Sequence, residues 1–324
     1  MTAADHQSWR VKKTSIHGDF ALSYRVKKKA YDACWCLEYK VKLFGWCVES
    51  HLATQNFVPC ESFYFILPYL ATRMRGDDEI ATRIDRGRFP GVVVFSEIYQ
   101  VTGPVARFAR QIASNGFICA APSSFHEFEP SDPLPYDNDG TDRGNRYKIE
   151  KELAAYDEDA KLTIDTLLSL PTCTGRIGAT GMCLGGHLAF RAAFDRRVHA
   201  ACCYFATDIH SHTLGRGKKD DSLDRVSDIR GELVMIFGKQ DTHVPAAGRD
   251  QIRKALHDAG VTFSWFEPAH AQHAFIRDEL SKGRYDAALS GVCWTMMMEV
   301  FHRTIKVDLG EREGSSSTGP EHFC

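Results

Sequence analysis

The sequence predicts an α/β protein: a doubly wound, mostly parallel sheet with helices on both faces. Three observations carry that prediction. From Arg88 onward, short continuous apolar runs alternate with helix-like patterns, as expected of strands buried on both faces. A chain of 324 residues, 44% of them hydrophobic and with a net charge of −2, can bury one sizeable core and is short for two independent domains. A glycine-rich stretch at residues 176–190, RIGATGMCLGGHLAF, passes from an apolar run into a helix-like pattern around one cysteine, Cys183.

Residues 91–95 (GVVVF) make the first clear strand. Thr102 is placed to cap the following helix, with Pro104 in its first turn and Gly116 past its end. Residues 117–121 form a second buried strand closed by Pro122. The polar segment 123–146 is too long for a simple turn, and such loops often carry function. Residues 151–170 place Leu153, Tyr156, Ala160, Ile164, Leu167 and Leu168 at helical spacing until Pro171 ends the run. Beyond the glycine-rich stretch, residues 200–205, 233–237 and 261–266 read as strands, and residues 246–259 and 285–305 as helices.

The main domain is therefore residues 87–306. Residues 307–324 are polar and Gly/Ser-rich and read as a disordered tail. Residues 1–86 are atypical. Between 31 and 70, cysteines, tryptophans and phenylalanines crowd together without either period, and Pro59 and Pro68 interrupt the most apolar part. The region reads as partly disordered, and either a lineage-specific insert or non-coding sequence translated through a faulty gene prediction fits it.

Lysine and arginine are scattered, so no basic face points to nucleic acid or an anionic membrane. No run of eighteen apolar residues and no signal-peptide core are visible, so a soluble, cytoplasmic chain is expected. Eleven cysteines without paired spacing argue against a disulfide framework and read mostly as small buried hydrophobes. Cys34, Cys36, Cys47 and Cys60 lack companion ligands at zinc-site spacing. His210, His212 and His243 could begin a metal site, but no acidic or cysteine ligand is spaced to finish it. No metal and no cofactor are expected. Oligomeric state is not legible.

Cys183 stands in Gly181-Met182-Cys183-Leu184-Gly185. A nucleophile on a sharp strand-to-helix turn has a strained backbone and needs small residues two before and two after it. The turn sets its thiol at a helix N-terminus, which favours a thiolate, and makes the Leu184 N–H an oxyanion donor. The competing reading is a glycine-rich turn around a buried cysteine. A base and an orienting acid decide between them. Asp241 follows the strand at 233–237 and His273 the strand at 261–266, in the chain order such sites use. His270 is the competitor for the base. Glu97 ends the first clear strand, where ligands of open α/β sheets bind, and a carboxylate behind four apolar residues is costly to bury unpaired. The neighbouring Ile98 N–H could complete the oxyanion hole.

With these residues in place, the chain from about 89 to 305 resembles the dienelactone hydrolase (carboxymethylenebutenolidase) family of the α/β-hydrolase fold, most closely its fungal members. The motifs are FPGVVVFSEIYQ, GMCLGG, GKQDTHVP and QHAFIRDE. The resemblance implies Cys183 as nucleophile, Asp241 and His273 as its partners, Glu97 as the glutamate that contacts the thiol, and the N–H groups of Ile98 and Leu184 as the oxyanion hole. It further implies arginines that bind a substrate carboxylate. Arg277 matches one, and Arg143 is chosen for the second, with Arg146 next. It implies a thiol that rests neutral until the substrate carboxylate draws Glu97 toward it. Ala274 departs from the serine that follows the histidine in bacterial members. The expected function is cysteine-dependent hydrolysis of an ester or lactone, with a small carboxylate-bearing substrate. A thioesterase, a general carboxylesterase and a non-catalytic binding protein are the alternatives.

Overall fold

The computed structural model describes residues 88–305 except 171 and 280–283, together with the backbone of four earlier strands. Those strands, β1 (Val11–Ile16), β2 (Phe20–Tyr31), β3 (Cys34–Lys42) and β4 (Phe63–Ile66), pair antiparallel in sequence. They were not anticipated in a region lacking a clean period. The rest of residues 1–86, and the tail at 307–324, lie outside the described residues.

Six parallel strands follow: β5 (Phe89–Phe95), β6 (Ile118–Pro122), β7 (Cys173–Met182), β8 (Val198–Tyr204), β9 (Glu232–Ile236) and β10 (Phe263–Phe266). The sheet order is β1-β2-β3-β4-β6-β5-β7-β8-β9-β10. The chain steps from β5 outward to β6 and then returns to β7 on the other side of β5. The strand order reverses there, and open α/β sheets bind ligands beyond the carboxyl ends of strands at such a point.

Strand residues alternate between two cores because successive Cβ atoms point to opposite faces. Val93, Phe95, Ala179 and Cys203 face one core, while Val92, Val94, Met182 and Cys202 face the other. Helices α1 (Gly103–Ala113) and α6 (Ala287–Ile305) cover the second core, through Val105, Ala109 and Ile112 and through Met297, Val300 and Phe301. Helices α3 (Leu153–Ser169), α4 (Leu184–Ala192) and α5 (Ala246–Asp258) cover the first, through Ile164, Leu188 and Ile252 among others. Val92, Val93 and Val94 are no more than 1% exposed, which is why these strands read as unbroken apolar runs.

Two expectations change. Thr102 does stand at the N-cap of α1, but its hydroxyl makes no cap bond and pairs instead with the Tyr136 hydroxyl at 2.7 Å. The segment at 123–146 is not all loop: its second half enters helix α2 (Asn138–Glu150), capped by Asp137, whose carboxylate accepts from the Gly140 N–H at 2.8 Å. Lys151, just after α2, is fully buried and reaches Asp159 at 2.6 Å and the Ser124 carbonyl at 3.0 Å. It thereby ties the loop after β6 to α3.

Candidate active site

Strand β7 ends against α4 in one step, and Cys183 is that step. Its φ of 59° and ψ of −119° lie where side chains are rarely found, a strain that persists only when the surroundings over-determine it. Glycines supply the determination. A Cβ on Gly181 would collide with the Gly185 carbonyl, and one on Gly185 would collide with the Phe95 carbonyl at the end of β5. The turn is thus pressed against the carboxyl end of β5, next to Glu97 and Ile98. The Cys183 N–H is held by the Tyr204 carbonyl of β8 at 3.0 Å, and the Cys183 carbonyl accepts from Gly186 at 3.0 Å.

Cys183 is partly buried and lines a cavity of about 310 Å³. Glu97, Ile98, His273 and Arg277 line the same cavity. Leu184 N–H is the first of α4, a donor with no intrahelical acceptor, and it bonds the Cys183 sulfur. Burial, then the charge of Glu97, pushes the thiol up to about 12. That outcome differs from the thiolate the helix N-terminus suggested, and magnitudes explain it. A helix terminus contributes at most about 2 kcal/mol, whereas a rise from near 9 to about 12 corresponds to roughly 4 kcal/mol.

His273 is 7% exposed, and its Nδ1 lies 2.8 Å from Asp241 Oδ2. Asp241 Oδ1 accepts from the His243 N–H at 2.8 Å. Burial alone would raise the Asp241 carboxyl, but the bonds from His243 and His273 outweigh it and hold the group well below the usual carboxylate range. Burial lowers His273 despite Asp241, and His243, stacked on it with ring centres 4.1 Å apart, pushes the same way. The imidazole is therefore neutral near pH 7. Its Nε2 is buried without a protein partner among the described residues, although buried polar atoms ordinarily have one. His270 is exposed and does not line the cavity.

Glu97 is 1% exposed, bonded to Arg277 Nη1 at 3.1 Å and to the Tyr136 hydroxyl at 3.3 Å. Burial raises its pKa against both partners. Arg277 is itself buried and stacks over the Tyr136 ring at 4.5 Å. Ala274 lines the cavity with φ of 62°.

Arg143 is not brought to the cavity. Its guanidinium pairs with Glu129 and with Asp139, the latter at 3.1 Å. Arg146 likewise turns to the Tyr147 hydroxyl and Glu150. The reason is helical phase. Thr141, Asn145 and Lys148, spaced four and three apart, line the cavity from one face of α2, and residues 143 and 146 fall on other faces. The cations that do reach the cavity are Arg277, Lys148 and Arg284; sequence reading missed the last two. Residues 209–212 form turns, and His210 and Ser211 line the cavity. Among the described residues one group of candidate metal ligands converges within 4.8 Å, namely Asp241, His243 and His273. It consists of the acid–imidazole pair and its stacking neighbour.

A sequence model described as the dienelactone hydrolase family matches residues 79–305. The chain is 56% identical over 243 residues to a Saccharomyces cerevisiae protein named "Putative carboxymethylenebutenolidase", covering 74% of this chain and 89% of that one. It is 27% identical over 194 residues to the carboxymethylenebutenolidase of Pseudomonas sp. strain P51, covering 57% and 75%. Among solved structures, the "Putative Dienelactone Hydrolase from Klebsiella pneumoniae subsp. pneumoniae MGH 78578" superposes with a TM-score of 0.58 at 19% identity, covering 75% of this chain and 92% of that one. At that identity the likeness speaks for the fold. Among the described residues, no helix is long and apolar enough to cross a membrane.

Proposed function

The chain belongs to the dienelactone hydrolase family, and on that premise we propose that it hydrolyses esters or lactones with Cys183 as nucleophile, through a thioester, favouring carboxylate-bearing substrates. One observation carries the reading: a cysteine strained at the head of α4 shares a cavity with an Asp-tethered histidine whose Nε2 has no protein partner among the described residues.

At rest the thiol is protonated and Glu97 is paired with Arg277. A substrate carboxylate entering the cavity takes over the guanidinium, and Glu97 turns to the thiol. Its pKa, raised by burial, makes it a better proton acceptor than an ordinary carboxylate. The thiolate attacks the carbonyl carbon, and the oxyanion is held by the Leu184 and Ile98 N–H groups. Each such donor contributes about a hundredfold to a thousandfold in rate. The carbon–oxygen bond of the ester breaks, and the departing oxygen takes up the proton that Glu97 removed from the thiol. His273, held by Asp241 in the tautomer that presents Nε2, then draws a proton from water as the water attacks the thioester. The acid leaves and Cys183 regains its proton. A thiolate leaves a tetrahedral intermediate readily, so an amide would revert while an activated ester or enol-lactone goes forward.

The test is Arg277→Ala assayed on paired substrates. KM for a carboxylate-bearing lactone is expected to rise about a hundredfold, the scale of a charge-assisted contact, with a much smaller change for p-nitrophenyl acetate. Equal changes on both would reduce Arg277 to the structural partner of Glu97 and favour a general carboxylesterase.

A further inference from the structure

Strand β7 lies between β5 and β8 in the sheet. Glu97 follows β5 and Asp208 follows β8, so two carboxylates flank Cys183, each with its own cation. Glu97 holds Arg277. Asp208 holds Lys148, whose Nζ lies 2.9 and 3.0 Å from the two carboxylate oxygens. Both members of the second pair line the catalytic cavity, yet the chemistry above uses neither.

The pair is built differently from the first. Asp208 also accepts from the Thr213 hydroxyl at 2.8 Å, and its φ of 68° is a strained one for a non-glycine residue. Burial would raise its carboxyl, but Lys148 and the hydroxyl bonds hold it at about 2, so it stays an anion. Two of the three ammonium donors are thus occupied, and one remains for the cavity. Thr141 and Asn145 stand above it on the same face of α2. Docking of α2 onto the β8 loop does not require the ammonium, because the Lys148 carbonyl already accepts from the Gly215 N–H at 3.2 Å.

We infer that Lys148 is a specificity residue whose remaining N–H grips a neutral acceptor oxygen of the substrate. The preferred ester or lactone then carries a carboxylate toward Arg277 and a carbonyl or hydroxyl oxygen toward Lys148. A second carboxylate is disfavoured there, because Asp208 already neutralises the ammonium and would repel another anion. This inference takes its substrate orientation from the hydrolase reading, and its test is a binding measurement that needs no turnover.

The probes are linear monocarboxylates of about five to seven carbons, a length suited to a cavity of this size, compared with their keto acids and dicarboxylates of equal length. Titration calorimetry on the full chain is expected to show the keto acid binding about tenfold tighter than its parent, with the dicarboxylate weaker than the keto acid. In Lys148→Met the keto acid's advantage falls to about one. That variant leaves Asp208 buried without its cation, so Lys148→Met combined with Asp208→Asn is titrated as well, and thermal melting reports which variant folds. No advantage for the keto acid in the unaltered protein, a dicarboxylate that binds tightest, or an advantage that survives in the folded variant each overturns the inference. Turnover of the mono-p-nitrophenyl ester of glutaric acid, which carries a free carboxylate, is read separately in the unaltered protein: its absence counts against the hydrolase reading and leaves the titration to decide on Lys148.

Discussion

The cavity of the candidate site and the interior just beneath it contain the same two side-chain types. Cys183 and His273 line the cavity; Cys203, opposite Gly181 on β8, and His187, one turn into α4, are fully buried. Burial acts alike in both places. It raises Cys203 as it raises Cys183, and it lowers His187 to about 4 as it lowers His273. The difference lies in what the atoms face. His187 Nε2 is bonded to the Ser222 hydroxyl at 2.6 Å, whereas His273 lines the cavity together with Cys183, and its Nε2 has no protein partner among the described residues. Each imidazole keeps one buried nitrogen without a partner among the described residues, Nδ1 in His187 and Nε2 in His273, so a perturbed titration or an unpaired atom marks burial, and a place in the lining of a shared cavity marks the candidate site.

The largest expected contrast is between the two cysteines. Cys183→Ala removes the proposed nucleophile and should lower ester hydrolysis by about 10⁴-fold or more, with folding intact by circular dichroism. Cys203→Ala should keep activity within about twofold and cost roughly 1 kcal/mol of stability in urea titrations. Comparable losses of activity in the two variants would erase the distinction. A smaller effect is expected from Glu97→Gln. After burial, the Glu97 charge is the next cause holding the Cys183 thiol up, so its removal lowers the thiol pKa. Alkylation of Cys183 by iodoacetamide, measured at one pH below 12, is expected to speed by about tenfold. An unchanged rate would mean that burial alone sets the thiol.

The smallest effect on catalysis, and a clear one on stability, concerns His187. Its pKa in the fold is below that of the unfolded chain, so between about 4 and 6.5 the unfolded chain binds the extra proton. Stability that is present above pH 6.5 is therefore lost as pH falls toward 4, by up to about 3 kcal/mol from this group. Urea titrations across that window should show the slope, and His187→Gln should flatten it. A variant with the same slope would assign the acid lability to other groups.

How far the sequence revealed this molecule depended on what each segment packs with. The strands were readable because both faces are buried and their apolar runs are unbroken, as in GVVVF. Cys183, Asp241, His273 and Glu97 were readable because strand ends fix where a following loop begins. Helix α2 was not. Its sequence NDGTDRGNRYKIE has no apolar stripe, because it packs on loops through glycines: a Cβ on Gly140 would strike the Pro135 carbonyl of the segment leading into the helix, and one on Gly144 the Ile98 carbonyl just after β5. A helix docked by missing side chains leaves no hydrophobic period to read. The capping aspartate, Asp137, was the one signal available. Without the helix there was no phase by which to prefer Lys148 over Arg143, and Asp208 gave no sign of its partner 60 residues away.

The central claim is that the acyl group passes through the sulfur of Cys183, and trapping it is the most direct test. In His273→Asn, attack by water on the thioester loses its base. Rapid acid quench after addition of the mono-p-nitrophenyl ester of glutaric acid, whose free carboxylate can meet Arg277, followed by peptide mass mapping, is expected to find one glutaryl group per chain, on the peptide that carries Cys183. A glutaryl group fixed on another residue, or the same burst of p-nitrophenol from a protein in which Cys183 is also alanine, would contradict the account.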